Sequence, residues 1–231
     1  MPSSGSNDWD LAASEIIKDA LILVGGIEDD ETPTANQEAY ALRMLNRLAK
    51  SWSTKGLKVW AWQEATLTLV ISQQSYVLKT SGGDLNIDKP LQIANARRVV
   101  SSVETPIEVV ARQIYMDQPS KDSTGKVSWV YYQPEIDQGT LHVWPAPDAA
   151  DSLKFSYKSY IEDFDSSANT PYWPAEWHLA AVYNLGQLLC PMYEVSGEDR
   201  GTIMLLARQY LDDAETNDAD QGSVYFVPDL R

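Results

Sequence analysis

Two histidines, one cysteine and a large set of carboxylates are the side chains here that could do chemistry. His142 and His178 are 36 positions apart, and neither belongs to a His-x-x-x-His pair with an intervening Glu. No Asp/Asn loop closed by a Glu is present either, so zinc and calcium spacings lack support. His142 falls in an alternating strand pattern and His178 at a helix start beside Trp177, where lone histidines serve structure or surface. Cys190 lies in an apolar helical stretch and reads as a small buried thiol. Gly25-Gly26 and Gly82-Gly83 read as turn glycines, since no phosphate-cradling glycine motif and no Gly-x-Ser-x-Gly elbow contains them. A glycosidase-like pair needs two acids about 5 to 9 Å apart across a bond. Asp163, Asp165, Glu176 and the run Glu28 to Glu31 supply acids, but their pattern is that of solvated charge. Nothing in these spacings demands an enzyme; cofactor and metal sites are expected to be none.

The aromatic residues offer a different chemistry. Eight Trp and twelve Tyr exceed what a core of this size needs, and aromatic residues concentrate at interfaces. Trp129, Tyr131, Tyr132 and Trp144 could form a stacking platform for sugars. In an alternating strand, however, Trp129 and Tyr131 share one face while Val130 and Tyr132 share the other. That split favours one face in the core and one against a neighbour.

The 231 residues carry 33 acidic and 18 basic side chains, a formal charge of −15. Such a surface repels phosphate backbones and argues against nucleic-acid binding through a basic patch. One cysteine excludes an intramolecular disulfide framework and any multi-cysteine zinc site. No apolar run approaches the ~20 residues of a membrane span, and no apolar leader follows basic residues. The expectation is a soluble protein made in a reducing cytoplasm, with no membrane partner.

The elements that would position these residues fall into three blocks. After a Ser/Gly/Pro-rich leader, Met1 to Asn7, an amphipathic helix from Asp10 to Val24 presents Ala13, Ile16, Ile17, Ala20, Leu21 and Val24 on one face. Gly25-Gly26 stops it. Thr34 and Gln37 form a capping box for a second helix, whose stripe is Ala41, Leu42, Leu45, Leu48, Ala49 and Trp52 and which Gly56 ends. From Trp60 to Ile161 the period is two. Leu67, Leu69 and Ile71 alternate with Thr66, Thr68 and Val70, and Tyr76-Val77-Leu78 follows after a polar break. Val127 to Tyr132 and Thr140 to Trp144 flank a turn at Asp137-Gln138-Gly139, and Ser152 to Ser159 alternates again. A third helix runs from Ala175 to Cys190, apolar around most of its circumference, and a fourth from Glu198 to Glu215 turns Ile203, Leu206, Ala207, Tyr210 and Leu211 inward. Asp212 to Asp220 is acidic and expected to fray. Ser223 to Val227 is an apolar, β-prone pentapeptide, either a strand packed on its own subunit or an arm that adds to a partner by β-augmentation.

The order of these features resembles the head-to-tail adaptor proteins of short-tailed double-stranded DNA bacteriophages, the group with tail accessory and tail tubular A-type proteins. The carriers are the two opening helices ending near Trp52, the Leu67-Thr68-Leu69 strand with Ser75 to Leu78 after a polar turn, and Val127 to Tyr132. Gly139 to Pro147, Leu153 to Tyr160, and Pro174-Ala175-Glu176-Trp177 opening a helix complete them. The resemblance implies a homo-oligomeric ring, a dodecamer, that docks on the portal protein and extends the DNA channel. It would help retain packaged DNA and carry tail nozzle and tail fibre or tailspike proteins. It also implies a virion component at the neck, with extended C-terminal arms on the portal. Cell-wall hydrolysis, assigned to some members, has no residue motif here.

The reading is therefore an α+β structural virion protein: a helical bundle built from both chain ends, with an inserted antiparallel β domain and an extended C-terminal arm. The expected parts are 1–59 (helical), 60–165 (β), 166–216 (helical) and 217–231 (arm). Val224, Tyr225, Phe226 and Val227 are the expected portal-binding residues, and DNA passes without sequence-specific binding. The rivals are a peptidoglycan-degrading tail enzyme and an aromatic carbohydrate-binding module.

Overall fold

A computed structural model describes residues 9–54 and 61–218. It is a mixed α+β protein, as the patterning requires, with five helices and ten strands among the described residues. Contacts divide the chain into two compact units, residues 1–60 with 161–231 and residues 61–160.

In the first unit, α1 (Ala13–Leu23) and α2 (Ala35–Thr54) precede the sheet in the chain, while α4 (Trp177–Leu189) and α5 (Gly197–Asn217) follow it. All six residues of the expected α1 face are buried. Five of the six in the α2 stripe are buried, and Leu42 packs against the same cluster half-buried. Gly25 adopts φ +66°, the left-handed geometry of a helix stop. Thr34 and Gln37 do form the capping box: the Thr34 N–H donates to Gln37 Oε1 at 2.9 Å and the Gln37 N–H to Thr34 Oγ1 at 3.4 Å. The four helices and the segment around Phe164 and Trp173 contribute to one apolar cluster centred on Trp52 and Trp177, whose rings lie 5.3 Å apart edge to face. One expectation fails here. The acidic stretch from Asp212 does not fray at its start, because α5 continues to Asn217 with Ala214 buried in the cluster. Tyr210 and Leu211 pack against the same cluster, so tertiary contacts hold this helix end.

The second unit is an eight-stranded sheet with a small satellite pair. Its strands are β1 (Trp62–Thr68), β2 (Ser75–Lys79), β3 (Leu85–Asn86), β4 (Gln92–Val100), β5 (Val103–Val109), β7 (Trp129–Pro134), β8 (Gly139–Trp144) and β10 (Ser152–Lys158). They are ordered β1-β10-β4-β5-β7-β8-β2-β3, while β6 (Thr124–Gly125) pairs with β9 (Ala146–Pro147). The expected antiparallel domain is corrected at three joins: β5 pairs with β7 in parallel, β2 with β3 in parallel, and β6 with β9 in parallel. The two-residue β3 reaches β2 through residues 80–84 alone, but joining β5 to β7 in parallel needs a long crossover. The segment from Val110 to Ser128, which holds the five-residue α3 (Arg112–Met116), provides it for β5 and β7.

The order forces curvature. β1 and β2 stand six strand positions apart, about 29 Å in a flat sheet at ~4.8 Å per strand. Yet only Leu69 to Gln74 joins them, a span of about 24 Å from Thr68 to Ser75 when fully extended. The sheet therefore curls until its two ends nearly meet. Leu67, Leu69, Leu78, Val130, Leu141, Val143, Leu153 and Phe155 fill the inside.

The hairpin of β4 and β5 has no counterpart in the sequence reading. Its turn is Ser101-Ser102, both at positive φ (49° and 65°). Such a two-residue turn is normally marked by Asn or Gly, and here two serines occupy it.

Candidate contact surfaces

The expected portal-binding residues Val224, Tyr225, Phe226 and Val227 lie outside the described residues. The histidines, the cysteine, several of the carboxylates and the strand aromatics lie among the described residues.

His178 is buried against the Trp9 ring, edge to face at 5.6 Å. Its Nε2 is 3.1 Å from Asp10 Oδ1. Burial lowers its pKa, and the nearby Asp10 carboxylate only partly offsets that. His142 stacks on Tyr131 at 5.5 Å and lies 5.3 Å from Tyr115, and burial again lowers its pKa. Cys190 is buried and its thiol is pushed up by the same cause. Asp163 pairs with Lys50 at 2.6 Å and Glu31 accepts the Glu28 N–H at 3.1 Å. Among the described residues no three His, Cys, Asp or Glu side chains are grouped to hold a metal ion, and no helix is long and apolar enough to cross a membrane.

The four aromatics of the sugar-platform idea separate as the alternation requires. Trp129 and Trp144 face each other across β7 and β8 at 4.9 Å, and Trp144 Nε1 donates to the Ser120 carbonyl. Tyr131 is covered from within the unit by Tyr115 of α3, stacked at 5.4 Å, with Lys121 over the Tyr115 ring. The expectation that this face packs against a neighbour is thus corrected in part, because the crossover carrying α3 lies over it. Tyr132 points to the other face and its hydroxyl donates to the Pro90 carbonyl. Burial raises its pKa far above the ordinary phenol value.

On the outer face of the sheet, Glu64 of β1 and Glu104 of β5 flank the cations Lys154 of β10 and Arg97 of β4. Lys154 Nζ is 2.8 Å from Glu64 and 3.7 Å from Glu104, and Arg97 is 3.3 Å from Glu104. Lys154 bonds to and attracts the Glu64 carboxylate, which lowers the pKa of Glu64 and raises its own. This patch is locally neutral in a chain of charge −15.

Exposed apolar side chains gather at one end of the sheet. β1 ends and β2 begins there, so Val70 and Ile71 occupy it, exposed by 53% and 59%. The β4–β5 turn lies at the same end, flanked by Val100 and Val103 at 40% and 64%. The chain enters this unit at Ala61 and leaves at Tyr160, both at the opposite end.

The sheet's two lips, β1 at one end and β2 with the short β3 at the other, differ. Leu69 N–H donates to the Asp151 carbonyl and Ser159 N–H to the Ala61 carbonyl, both at 2.8 Å. The odd-numbered residues of β1 therefore bond to β10, and the backbone of Trp62, Glu64, Thr66 and Thr68 faces the seam. None of these four has a hydrogen-bond partner on that side among the described residues. On β2 the outward carbonyl of Ser75 and both backbone groups of Val77 are occupied. Asp84 accepts the Val77 N–H on Oδ2 at 2.7 Å and donates its own N–H to the Val77 carbonyl at 2.8 Å. Gln73 Nε2 caps the Ser75 carbonyl at 2.9 Å, and β3 pairs beyond. At the tip the Tyr76 hydroxyl bridges the seam, accepting the Val70 N–H at 2.9 Å and donating to the Val70 carbonyl at 3.2 Å.

No curated protein matches the chain. The family model described as SU10 adaptor protein matches residues 11–228, nearly the whole sequence. In agreement with the adaptor resemblance of its helices and strands, the chain belongs to the SU10 adaptor protein family.

Proposed function

We propose that the protein is a structural subunit of the bacteriophage head-to-tail adaptor, of the tail accessory or tail tubular A type, rather than an enzyme. Family membership over residues 11–228 is the observation that supports this most. In this reading the helical bundle from both chain ends packs laterally into a closed homo-oligomeric ring, a dodecamer, beneath the portal. The arm with Val224, Tyr225, Phe226 and Val227 holds the portal. The sheet unit projects a second contact surface for nozzle and fibre or tailspike proteins, for which the exposed Val70, Ile71, Val100 and Val103 are suited. The charge of −15 lets packaged DNA slide through without sticking and opposes self-association of free copies at low salt. The subunit is made in the host cytoplasm and ends in the virion neck.

Light scattering tests this reading, on the protein alone and after mixing with the portal protein of the same genome. A monomer that joins the portal as a high-order complex supports it, and a protein that ignores the portal at every salt concentration overturns it.

A further inference from the structure

We propose that the open lip of β1 is a seat for an extended segment, and that its occupant, in protein not attached to a portal, is Ser223 to Val227 of a second copy. This rests on the adaptor reading only in so far as copies meet one another.

The observation behind it is the difference between the two lips. Natural sheets block exposed edges, because unpaired amides and carbonyls template pairing with another chain. The β2 lip is blocked by Asp84, Gln73 and β3. The β1 lip keeps the backbone of Trp62, Glu64, Thr66 and Thr68 without partners among the described residues, over a seven-residue strand. β1 and β2 are not paired with each other; just beyond β1 the Tyr76 hydroxyl binds both the N–H and the carbonyl of Val70.

Charge selects the occupant. Copies of charge −15 repel, so a contact between them is cheapest where both partners are neutral. The outer face beside the lip is neutralised by the Glu64–Lys154–Arg97–Glu104 set, and Thr66 and Thr68 carry no charge. Beyond Asp218, the last described residue, the stretch Gln221 to Val227 has no charged side chain, although Asp212, Asp213, Glu215, Asp218 and Asp220 precede it. It is also as long as β1, and Pro228, which cannot donate to a ladder, ends it. Strand addition supplies main-chain hydrogen bonds that need no net charge. The portal and the lip compete for this segment, so the lip is its place only before attachment.

Disulfide trapping tests the seat, in a background carrying Cys190→Ala. One chain carries Thr68→Cys, and the other carries Val224→Cys, Tyr225→Cys or Phe226→Cys. The two are mixed under a mild oxidant, and a bond requires Cα atoms within about 7 Å. The expected result is a mixed-copy disulfide at one or more of the three positions. Adding Thr66→Pro to the first chain should reduce its yield at least tenfold, because the lost N–H faces the seam and not β10. Circular dichroism of the Thr66→Pro chain checks the fold, and the trapping series without that change stands if the fold is lost. No bond at any position, or a bond indifferent to Thr66→Pro in a folded chain, overturns the proposal. A doubly substituted chain that gives only an internal bond also overturns it, since the arm would then sit on its own subunit. Portal binding by the unsubstituted chain is scored separately: if it persists without trapping, only the lip proposal fails.

Discussion

Asn46 and Phe164 are joined by a two-way amide pairing. Asn46 Nδ2 donates to the Phe164 carbonyl at 2.9 Å, and the Phe164 N–H donates to Asn46 Oδ1 at 2.8 Å. A side chain of α2 thus serves as a one-residue strand for a segment 118 positions away, and it satisfies both backbone groups of a buried phenylalanine. Asn46→Ala leaves a part-buried donor and a part-buried acceptor unpaired, a loss of about 2–3 kcal/mol. The melting temperature should fall by about 5–10 °C. A calorimetric change below about 1 °C would mean that water replaces the amide at no cost.

Gly139 opens β8, and a Cβ there would run into the hydroxyl and ring of Tyr132. The Tyr132 hydroxyl is held by the Pro90 carbonyl, so the ring cannot simply swing away. Gly139→Ala should destabilise by about 1–3 kcal/mol through overpacking. Shortening the obstacle with Tyr132→Leu should make the added methyl far less harmful. Denaturant midpoints of the two single variants and the double variant decide it, and strict additivity would refute the clash.

Acidification should weaken the fold through the two histidines. Burial holds His142 and His178 below the ordinary imidazole value of 6.5, so the unfolded chain binds protons first as pH falls. Their contribution is complete above pH 6.5 and is lost as pH drops from there towards the folded values. Melting temperatures at pH 7.5, 6.5 and 5.5 should decline, and His142→Gln with His178→Gln should remove most of the slope. An unchanged slope in that double variant would assign the effect to carboxylates.

Removal of Gly222 to Arg231 should leave the subunit folded and weaken its attachment to the portal. Replacing Tyr225 or Phe226 by Ser should each cost roughly 2 kcal/mol or more of binding if they anchor the interface. Titration of labelled portal with these variants measures the loss. A large fall in melting temperature with unchanged portal affinity would place the segment in the subunit's own core.

Much of the helical half was legible before any coordinates. Ala13, Ile16, Ile17, Ala20, Leu21 and Val24 recur at the helical period, Thr34 and Gln37 cap, and Gly25 stops, all by interactions within four residues. The strands at Leu67, Tyr76, Leu141 and Phe155 announced themselves by alternation, since one face is buried and the other wet. β4 and β5 did not. The charged pair Arg97 and Arg98 interrupts β4, a bulge opposite Ser156 and Tyr157 breaks its period, and a Ser-Ser turn replaces the usual signal. α3 was equally hidden, being a five-residue helix held by Tyr115 on Tyr131.

By itself the sequence determined what local physics can decide: the helix faces and caps, the alternating strands, the acidity, the absence of familiar catalytic spacings, and an order of elements that matches an adaptor family. Only the tertiary structure decided which strands are neighbours. Strand order, the parallel joins and the closing of β1 towards β2 depend on chain-length constraints and on partners far apart in sequence. The unequal lips follow from that order. Asp84 can block β2 because β3 folds back beside it, while β1 has β10 on one side and the seam on the other. No periodicity within β1 could announce which of its two edges would be left open.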